Sequence, residues 1–408
     1  MSVKKLNYSV EEVNELLKHI ENINFVTPEM FGGMGDGVTD DTNAIQDAID
    51  YANENDKIVQ FLGKTYVTGQ IQLYKGTQLK GQGVRNTTIY LKDGLDVPFI
   101  NIDEDADNIN ITNLTIGDFT INGNKFNNTC PVIFRFNQDG DTHHTIYNIE
   151  MTIPYNHGIY MKRGENRLSN LYIHHAGGYG IYHIGSDNFF DNISCAWCYE
   201  CGIGEFGSSD KWVNCKAFVN GEYYGPDNLP NKQSPGFQIQ SGARSVFVNC
   251  ESQENYGHGW YIDTHPLLQL VNCTGDQNGM INKNNDDKQF MAGFAFGTIS
   301  HVNLIGACTN FRGSDNDNAW QRCGLLMLNA NCSDLNINLK CTNQIVNYNK
   351  TDTEIYNSLL TSENNNIITI NNKNINTSTI TTTATDLETA INLTNELKKA
   401  LTDLGLIN

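Results

Sequence analysis

Two markers recur along the chain: an asparagine that precedes an interior-type residue, and a glycine that opens a short alternating stretch. The tripeptide Val-Asn-Cys occurs three times, and aligning on its asparagine extends the series to Asn148, Asn170, Asn192, Asn214, Asn249, Asn272 and Asn303, with Asn113 and Asn336 as weaker members. The shortest steps are 22 or 23 residues, and the glycine follows after 10 residues in four repeats and after 21 or 22 in three. This pattern indicates one repeated unit with loops inserted at a single turn.

The alternation between the markers predicts which side chains face inward. Positions one and three residues after the glycines are large and apolar: Ile159, Met161, Phe237, Ile239, Trp260, Ile262, Phe294, Phe296, Leu325 and Met327. The position after each marker asparagine is aliphatic or cysteine, so the cysteines read as interior residues. A third column holds Asn220, Asn255 and Asn278, whose amides can bond to one another and to turn backbone. Stacking of like on like predicts an all-β parallel β-helix.

Both ends of the chain carry helical patterns. Residues 6–23 have apolar positions at 4-3-4-3 spacing, and residues 387–404 repeat apolar positions at heptad spacing. Each helix can pack on its own chain, but two such seams favour an intertwined homotrimer. The predicted organisation is an N-terminal helix over 1–25, a β-helix over 26–375, a linker over 376–385 and a trimerisation helix over 386–408.

Composition narrows the classes of function. The formal net charge of −19 disfavours nucleic acid and anionic membranes as partners, and residues 1–25 are too charged for a signal peptide or a membrane span. Eleven cysteines without an export signal predict reduced thiols in a protein made in a cytosol.

The opening of the β-helix region carries a recognisable motif. The run Gly-Asp-Gly-x-x-Asp-Asp-Thr at 35–42 precedes a helix with the apolar face Ala44, Ile45, Ala48, Ile49 and Ala52, which Asp40 or Asp41 can cap. This segment, 31–83, resembles the first module of the pectate-lyase superfamily of right-handed β-helix proteins, especially its phage tailspike members. The resemblance implies an architectural motif, a helix that caps the coil, and a spike in a phage tail. Such a spike is assembled in the host cytoplasm, contacts other tail or baseplate proteins, and takes a bacterial exopolysaccharide or wall teichoic acid as partner.

One outward column suits a stretched sugar polymer. Two residues after the glycines lie Tyr160, Tyr182, Gln238 and Tyr261, and Gln240 lies two residues further on the same face. Aromatic rings stack on sugar rings and amides bond to hydroxyls, so these residues, with Trp320 on an inserted loop, are predicted to bind substrate. Ordinary surface tyrosines give the same pattern.

Hydrolysis of a glycosidic bond needs two carboxylates about 5–10 Å apart, and adjacent coils lie about 4.8 Å apart. The predicted catalytic carboxylates are Asp263 first and Glu254 second, followed by Asp276 and Glu222, although each can be a solvated surface acid. His258 lies in a Gly-His-Gly stretch that resembles polygalacturonase-like members of the superfamily, but the aspartate motifs that accompany it there are absent. Because His157 occupies the same repeat position, a structural role in a turn is the alternative for His258. Elimination instead requires a base and a cation, for which Lys162, Arg163 and Arg167 are available.

Other polar clusters are given no catalytic role. His183 and Glu205 fall on inward positions, either as a buried pair or in strands that bend outward to form a cleft. Cys195, Cys198 and Cys201 have zinc-like spacing without a second pair, and residues 313–320 only weakly resemble a calcium loop. We expect no required cofactor, with Ca²⁺ allowed. The predicted function is a tail spike that depolymerises a surface glycopolymer, most simply by hydrolysis; the alternatives are a non-catalytic receptor-binding spike and a lyase.

Overall fold

The computed structural model describes residues 9, 11, 23–103, 111–137, 142–162, 164–221, 233–281, 291–310, 321, 323–328, 332–341, 367–370, 373–376 and 399. Apart from residues 9, 11, 23–25, 376 and 399, the two predicted terminal helices and the linker lie outside the described residues, as do Glu222, Arg163, Trp320 and the 313–320 loop. The trimer therefore stays a prediction.

A short 3₁₀ helix, Pro28–Phe31, and helix α1, Thr42–Glu54, lie near the start of the described chain. The first strands are β1 (Phe25–Val26), β2 (Asp36–Asp40), β3 (Ile58–Gln60), β4 (Thr65–Thr68), β5 (Gln78–Lys80), β6 (Thr88–Leu91), β7 (Ile100–Asp103), β8 (Thr115–Asn122), β9 (Val132–Asn137), β10 (Thr145–Thr152), β11 (His157–Met161), β12 (Arg167–His174), β13 (Ile181–His183), β14 (Phe189–Ala196) and β15 (Ile203–Glu205). The remaining strands are β16 (Lys211–Val213), β17 (Lys216–Phe218), β18 (Phe237–Gln240), β19 (Val246–Val248), β20 (Glu251–Gln253), β21 (Trp260–Asp263), β22 (Gln269–Val271), β23 (Thr274–Asp276), β24 (Ala292–Phe296), β25 (Ile299–Asn310), β26 (Cys323–Met327), β27 (Cys332–Cys341), β28 (Ile367–Ile370) and β29 (Lys373–Asn376).

These strands wind into a coil with three faces. Strands β7, β9, β11, β13, β15, β18, β21, β24 and β26 form a nine-stranded parallel sheet, and a longer sheet forms the other two faces. In each middle coil a strand such as β19 precedes a bend and a strand such as β20 follows it, and the chain then crosses to the nine-stranded sheet. We call the two parts of the long sheet the pre-bend face and the post-bend face. The fold is the right-handed parallel β-helix predicted from the sequence, because parallel crossovers of this kind are right-handed.

The marker asparagines occupy the bend. Asn148, Asn170, Asn192, Asn214, Asn249 and Asn272 have φ between 49° and 55°. Asparagine enters this left-handed region at lower cost than other non-glycine residues, and the single residue turns the chain while the strands on either side continue their pairing. In Val-Asn-Cys the valine ends one strand and the cysteine, buried in the core, leads into the next.

The alignment on asparagine was wrong at both ends of the series. Asn303 pairs with Gln269, three positions before the bend at Asn272, and the bend in that coil falls on Gly306, with φ of 65°. Glycine satisfies the same backbone requirement, which is why a search for asparagine misplaced it. At the other end Asn148 lies opposite Asp118, not in step with Asn113.

The glycine markers form a column for a steric reason. A Cβ added at Gly158, Gly180, Gly202, Gly236, Gly259 or Gly293 would lie 2.6–3.1 Å from the carbonyl oxygen of the next glycine in the column. Close approach of adjacent coils therefore excludes a side chain there.

The core contains stacked layers of similar side chains. The rings of Phe190 and Trp212 stack at 3.6 Å, and those of Phe237 and Trp260 at 3.9 Å. The predicted inward residues from Ile159 to Leu325 are buried, while the side chain of Met327 lies outside the described set. Val213, Val248 and Val271 lie in register, as do Lys216, Glu251 and Thr274, so Cys215, Cys250 and Cys273 stack one over the next. All eight cysteines whose side chains are described are free thiols, as predicted.

Helix α1 packs its predicted apolar face, from Ala44 to Ala52, against the first coil. The two aspartates before it have different roles. The Asp40 carboxylate accepts a hydrogen bond from the Thr42 amide at 3.0 Å, in the first turn of the helix. The Asp41 carboxylate instead accepts bonds from the amides of Met34 and Gly35, which fixes the preceding loop. The motif is architectural, as its resemblance implied.

Inside the coil, asparagine amides form the predicted ladder. Asn220 Nδ2 donates to Asn255 Oδ1 at 2.8 Å, and Asn255 Nδ2 donates to Asn278 Oδ1 at 2.8 Å. The three side chains are fully buried. The ladder therefore satisfies polar groups that would be costly to bury alone.

Asn255→Ala is expected to lower the free energy of unfolding by about 3 kcal/mol, because it strands buried donors and acceptors on both neighbouring coils. Asn249→Ala, at an exposed bend asparagine, is the matched control and is expected to cost about 1 kcal/mol through its left-handed φ. Chemical denaturation followed by circular dichroism measures both. Equal losses would show that the buried ladder adds nothing beyond backbone geometry.

Candidate functional site

The predicted outward column on the nine-stranded sheet is present. Tyr160 pairs with Tyr182, Tyr182 with Gly204, Gly204 with Gln238, and Gln238 with Tyr261. The rings of Tyr160 and Tyr182 stack at 5.6 Å with an interplanar angle of 7°. Successive coils therefore present a continuous aromatic and amide surface.

Two aromatic residues that the sequence analysis missed complete this surface. Tyr179 and Phe206 lie at strand ends and cover the gap at Gly204, with their rings 5.1 Å and 4.8 Å from that of Tyr182. The hydroxyl of Tyr179 donates to Gln238 Oε1 at 2.8 Å, and Gln238 Nε2 donates to Gln240 Oε1 at 2.6 Å. We call Tyr160, Tyr179, Tyr182, Phe206 and Gln238 the aromatic patch.

The structure separates Asp263 from Glu254. Asp263 ends β21 in register with Gln240, and its Oδ1 accepts a hydrogen bond from the Thr298 amide at 2.7 Å. Glu254 lies in the turn that precedes β21, with φ of 52°. The two carboxylates thus flank the strand from opposite ends.

Glu254 and Asp276 are brought together on adjacent coils, as predicted. Gln253 pairs with Asp276, and the Glu254 amide donates to the Asp276 carbonyl at 3.0 Å. Glu254 Oε1 accepts a hydrogen bond from Gln253 Nε2, and Asp276 is buried.

His258 supports a turn. Its Nδ1 accepts a hydrogen bond from the Ala292 amide at 3.1 Å, just as His157 Nδ1 accepts one from the Tyr179 amide at 3.0 Å. Burial lowers the pKa of both imidazoles to about 4, so both are neutral at pH 7. This geometry is the structural alternative stated above for His258.

A cleft of about 340 Å³ opens on the post-bend face. It is lined by Val84, Arg85, Asn148, Ile149, Glu150, Asn170, Leu171, Tyr172, Asn192, Ser194 and Phe218. The bend asparagines form one wall, and the first residues after the bend form the floor. None of the site residues predicted from the sequence lines this cleft.

A buried carboxylate lies on the floor of this cleft. Glu150 accepts hydrogen bonds from Arg85, the shortest from Nη2 to Oε1 at 2.7 Å and from Nε to Oε2 at 2.9 Å, and it also accepts one from the Thr120 hydroxyl. The Glu150 side chain is 7% exposed whereas that of Arg85 is 73% exposed. The Arg85 guanidinium holds the pKa of Glu150 below its usual value, so the carboxylate is ionised and the guanidinium lies on the rim.

Two imidazoles lie beside Glu150 at the edge of the cleft, next to Tyr172 on its floor. His174 Nε2 lies 3.3 Å from Glu150 Oε1, and its Nδ1 lies 2.7 Å from His175 Nδ1. The ring of Tyr172 stacks on His174 at 4.4 Å, and Trp197 stacks on His175 at 5.0 Å. Burial lowers the pKa of His174 and raises that of Tyr172, so both are neutral at pH 7.

The arrangement combines a proton acceptor with an exposed cation. A neutral imidazole can take a proton, while the guanidinium on the rim can pair with an anionic group of a ligand. Glu150 is the one carboxylate among the described lining residues, so the two-carboxylate arrangement of a glycosidase is not formed within this cleft. Sequence periodicity places Glu150 and Tyr172 in one column, but Arg85 arrives from an earlier coil, 65 residues before Glu150.

A family model described as rhamnogalacturonase A/epimerase, pectate lyase-like, matches residues 26–215. Residues 26–215 are therefore similar to the pectate lyase-like family. Among curated proteins it is 38% identical over 82 residues to a capsule-specific depolymerase of Klebsiella phage K64-1, covering 20% of this chain and 10% of that protein. It is also 34% identical over 136 residues to mannuronan C5-epimerase AlgE1 of Azotobacter vinelandii, covering 30% of this chain and 10% of that protein. The chain spans about a tenth of the length of these curated relatives.

Solved structures share the fold of this chain. The enzymatically active domain of bacteriophage CBA120 tailspike protein 2 aligns with a TM-score of 0.58 and 17% identity, covering 78% of this chain and 47% of that one. Pre-mature gene product 12 of bacteriophage phi29 aligns with a TM-score of 0.54 and 16% identity, covering 81% and 47%. At these identities the likeness is one of fold. No helix within the described part of the β-helix protein has the length and apolarity to cross a membrane.

Glu150→Gln is expected to lower the free energy of unfolding at neutral pH, and to lower it by less at acidic pH. The folded-state pKa of Glu150 lies below its unfolded value, so its contribution is complete above the unfolded value near 4.5 and is lost as the pH falls through the folded value. Urea unfolding of wild type and variant from pH 7 to pH 3 should give a difference that shrinks below about pH 4.5. Glu165→Gln, at an exposed carboxylate, is the control. A difference independent of pH would contradict the ion pair.

Proposed function

We propose that this protein is a phage tail spike that binds an acidic bacterial surface polysaccharide and cleaves it by β-elimination at the post-bend cleft. The observation that carries the proposal is neutral His174 beside Glu150, with the Arg85 guanidinium exposed above them. The predicted homotrimer and its attachment to other tail proteins belong to the same proposal.

The cleft residues fit the steps of elimination. The Arg85 cation pairs with the carboxylate of a uronic acid unit, which makes the neighbouring C–H more acidic. The hydrogen-bonded imidazole pair of His174 and His175 takes that proton, the C–O bond to the next sugar breaks as a C=C bond forms, and the leaving oxygen gains a proton from the Tyr172 hydroxyl or from water. Glu150 orients Arg85 and His174 and stabilises the imidazolium.

The known relatives are consistent with this chemistry. Their names describe a capsule depolymerase, mannuronan epimerases and an alginate lyase, and the last two kinds act on polymers of acidic sugars. Hydrolysis by Asp263 and Glu254, the first prediction from the sequence, has less support because the two carboxylates flank β21 from opposite ends and Asp263 holds a turn amide.

Binding without cleavage is the second candidate function. The stacked rings of Tyr160 and Tyr182 favour it, because an aromatic surface repeated from coil to coil matches an extended glycan whether or not a bond is broken. In that case the aromatic patch is the receptor site.

His174→Gln is expected to reduce turnover about 100-fold or more with little change in polymer binding, because it removes the base while keeping a side chain of similar size. Purified capsular polysaccharides, polymannuronate and teichoic acids are the substrates, with chain length, unsaturated-sugar absorbance, new reducing ends and phosphate monoesters as readouts. His301→Gln, at an exposed histidine, is the control. Loss of turnover in Asp263→Asn but not in His174→Gln would move the chemistry to the nine-stranded sheet.

Replacing Tyr160 and Tyr182 together with alanine is expected to weaken polymer binding about 10-fold or more, since each ring contributes roughly 1 kcal/mol of stacking. Glycan-array binding and calorimetry measure the change, with Tyr155→Ala as the control at another exposed tyrosine. Unchanged affinity would show that the aromatic patch only stabilises the sheet.

A further inference from the structure

A second ionisable cluster lies inside the coil, separate from both outer faces described above. His183 ends β13, Glu205 ends β15, and Asp210 lies just before β16; all three are fully buried. One ligating atom from each lies within 4.8 Å of the others. Neither the aromatic patch nor the cleft uses these side chains.

Asp210 occupies a position that the preceding coils give to asparagine. Inside the coil there is a second ladder of hydrogen-bonded side chains, formed by Thr142, Asn166, Asn188 and Asp210 on successive coils. Asp210 Oδ1 accepts hydrogen bonds from the backbone amide and Nδ2 of Asn188 at 2.8 Å and 3.0 Å. Its second oxygen, Oδ2, lies 3.0 Å from His183 Nε2, but no hydrogen bond of normal geometry reaches it. His183 Nε2 and Asp210 Oδ2 therefore face each other without a hydrogen bond of normal geometry between them. Two potential ligand atoms in this arrangement can both bind one metal ion.

The remaining groups orient Glu205 and leave room beside the cluster. Trp212 Nε1 donates to Glu205 Oε2 at 2.8 Å, and the Ser245 hydroxyl donates to Oε1 at 3.1 Å. A Cβ at Gly207 would lie 2.7 Å from His183 Nε2 and 2.8 Å from Asp210 Oδ2, so only glycine leaves this space open.

A second histidine adjoins the same space. Gly242 stacks on Gly207, and a Cβ there would lie 2.6 Å from His265 Cε1. His265 is fully buried, and the Gln240 backbone lies against its ring. It is not among the residues whose ligating atoms lie within 4.8 Å of one another, so it borders the cluster without belonging to it.

We propose that His183, Glu205 and Asp210 form a structural site for a divalent transition metal of the zinc class. Imidazole nitrogen and carboxylate oxygen are ligands that zinc accepts in tetrahedral sites, and a dication offsets two buried carboxylates. Trp212 and Ser245 hold the Glu205 carboxylate in place, as outer partners of metal ligands do. The ion would tie successive coils together behind the aromatic patch, without taking part in cleavage.

Asp210→Asn is the informative variant, because asparagine already fills this ladder position in neighbouring coils and the fold should be retained. After loading with Zn²⁺ or Co²⁺ and dialysis, wild type is expected to hold about one ion per chain by mass spectrometry, and the Co²⁺ form to absorb in the visible. Asp210→Asn and His183→Gln should lose most of the ion, with circular dichroism unchanged, and chelator should lower the melting temperature of wild type alone. Glu165→Gln, at an exposed histidine–carboxylate pair, should keep it.

The rival arrangement is a proton shared between the two carboxylates. Burial and the neighbouring Asp210 raise the pKa of Glu205 well above its usual value, so a metal-free cluster would hold Glu205 protonated. In that case wild type binds no more ion than either variant, chelator has no effect, and Asp210→Asn is as stable as wild type or more so. That result would overturn the proposal and leave the proposed glycan chemistry untouched.

Discussion

The structure depends on the pairing of each strand with the equivalent strand one coil away. Because adjacent parallel strands lie about 4.8 Å apart, every side chain touches the side chain at the same position in the coils before and after it. A residue type is therefore acceptable at a position only if it can pack against similar residues at the same position in the neighbouring coils. Phenylalanine and tryptophan stack, asparagine amides bond in series, and glycines allow carbonyls to approach, as in the column from Gly158 to Gly293.

This constraint also decides where chemistry can be placed. An outward position repeats along a face, so a binding surface such as the stacked Tyr160 and Tyr182 arises from the same stacking as the core. A catalytic arrangement needs different groups side by side, which a regular column does not supply. The cleft obtains them where the column is irregular: Thr120, Glu150, Tyr172 and Ser194 share one column, and Arg85 reaches it from outside.

The same constraint limits which polar side chains can be buried inside the coil. Polar side chains inside the coil are acceptable as a continuous ladder, since each amide satisfies its neighbour, and the Asn220 column does this without charge. Asp210 breaks the uniformity of the second ladder with a carboxylate, and the neighbouring His183 and Glu205 are ionisable as well. Such a departure is stable only with a compensating partner, whether a proton or a cation.

The sequence by itself determined the coil, its inward columns and its bends, because these are fixed by a local period that every coil repeats. The Val-Asn-Cys phrase identified the repeat and the buried cysteines correctly, and the asparagine ladder and the tyrosine column followed from the same count of residues. The left-handed φ of its asparagine appeared only in the structure. Only the tertiary structure decided that the bend after Asn272 is Gly306, and that His258 and Asp263 hold turn amides. It also brought Arg85 onto Glu150 from two coils away. The physical reason is that a period specifies which positions are neighbours, whereas turns and insertions decide which side chain reaches across them.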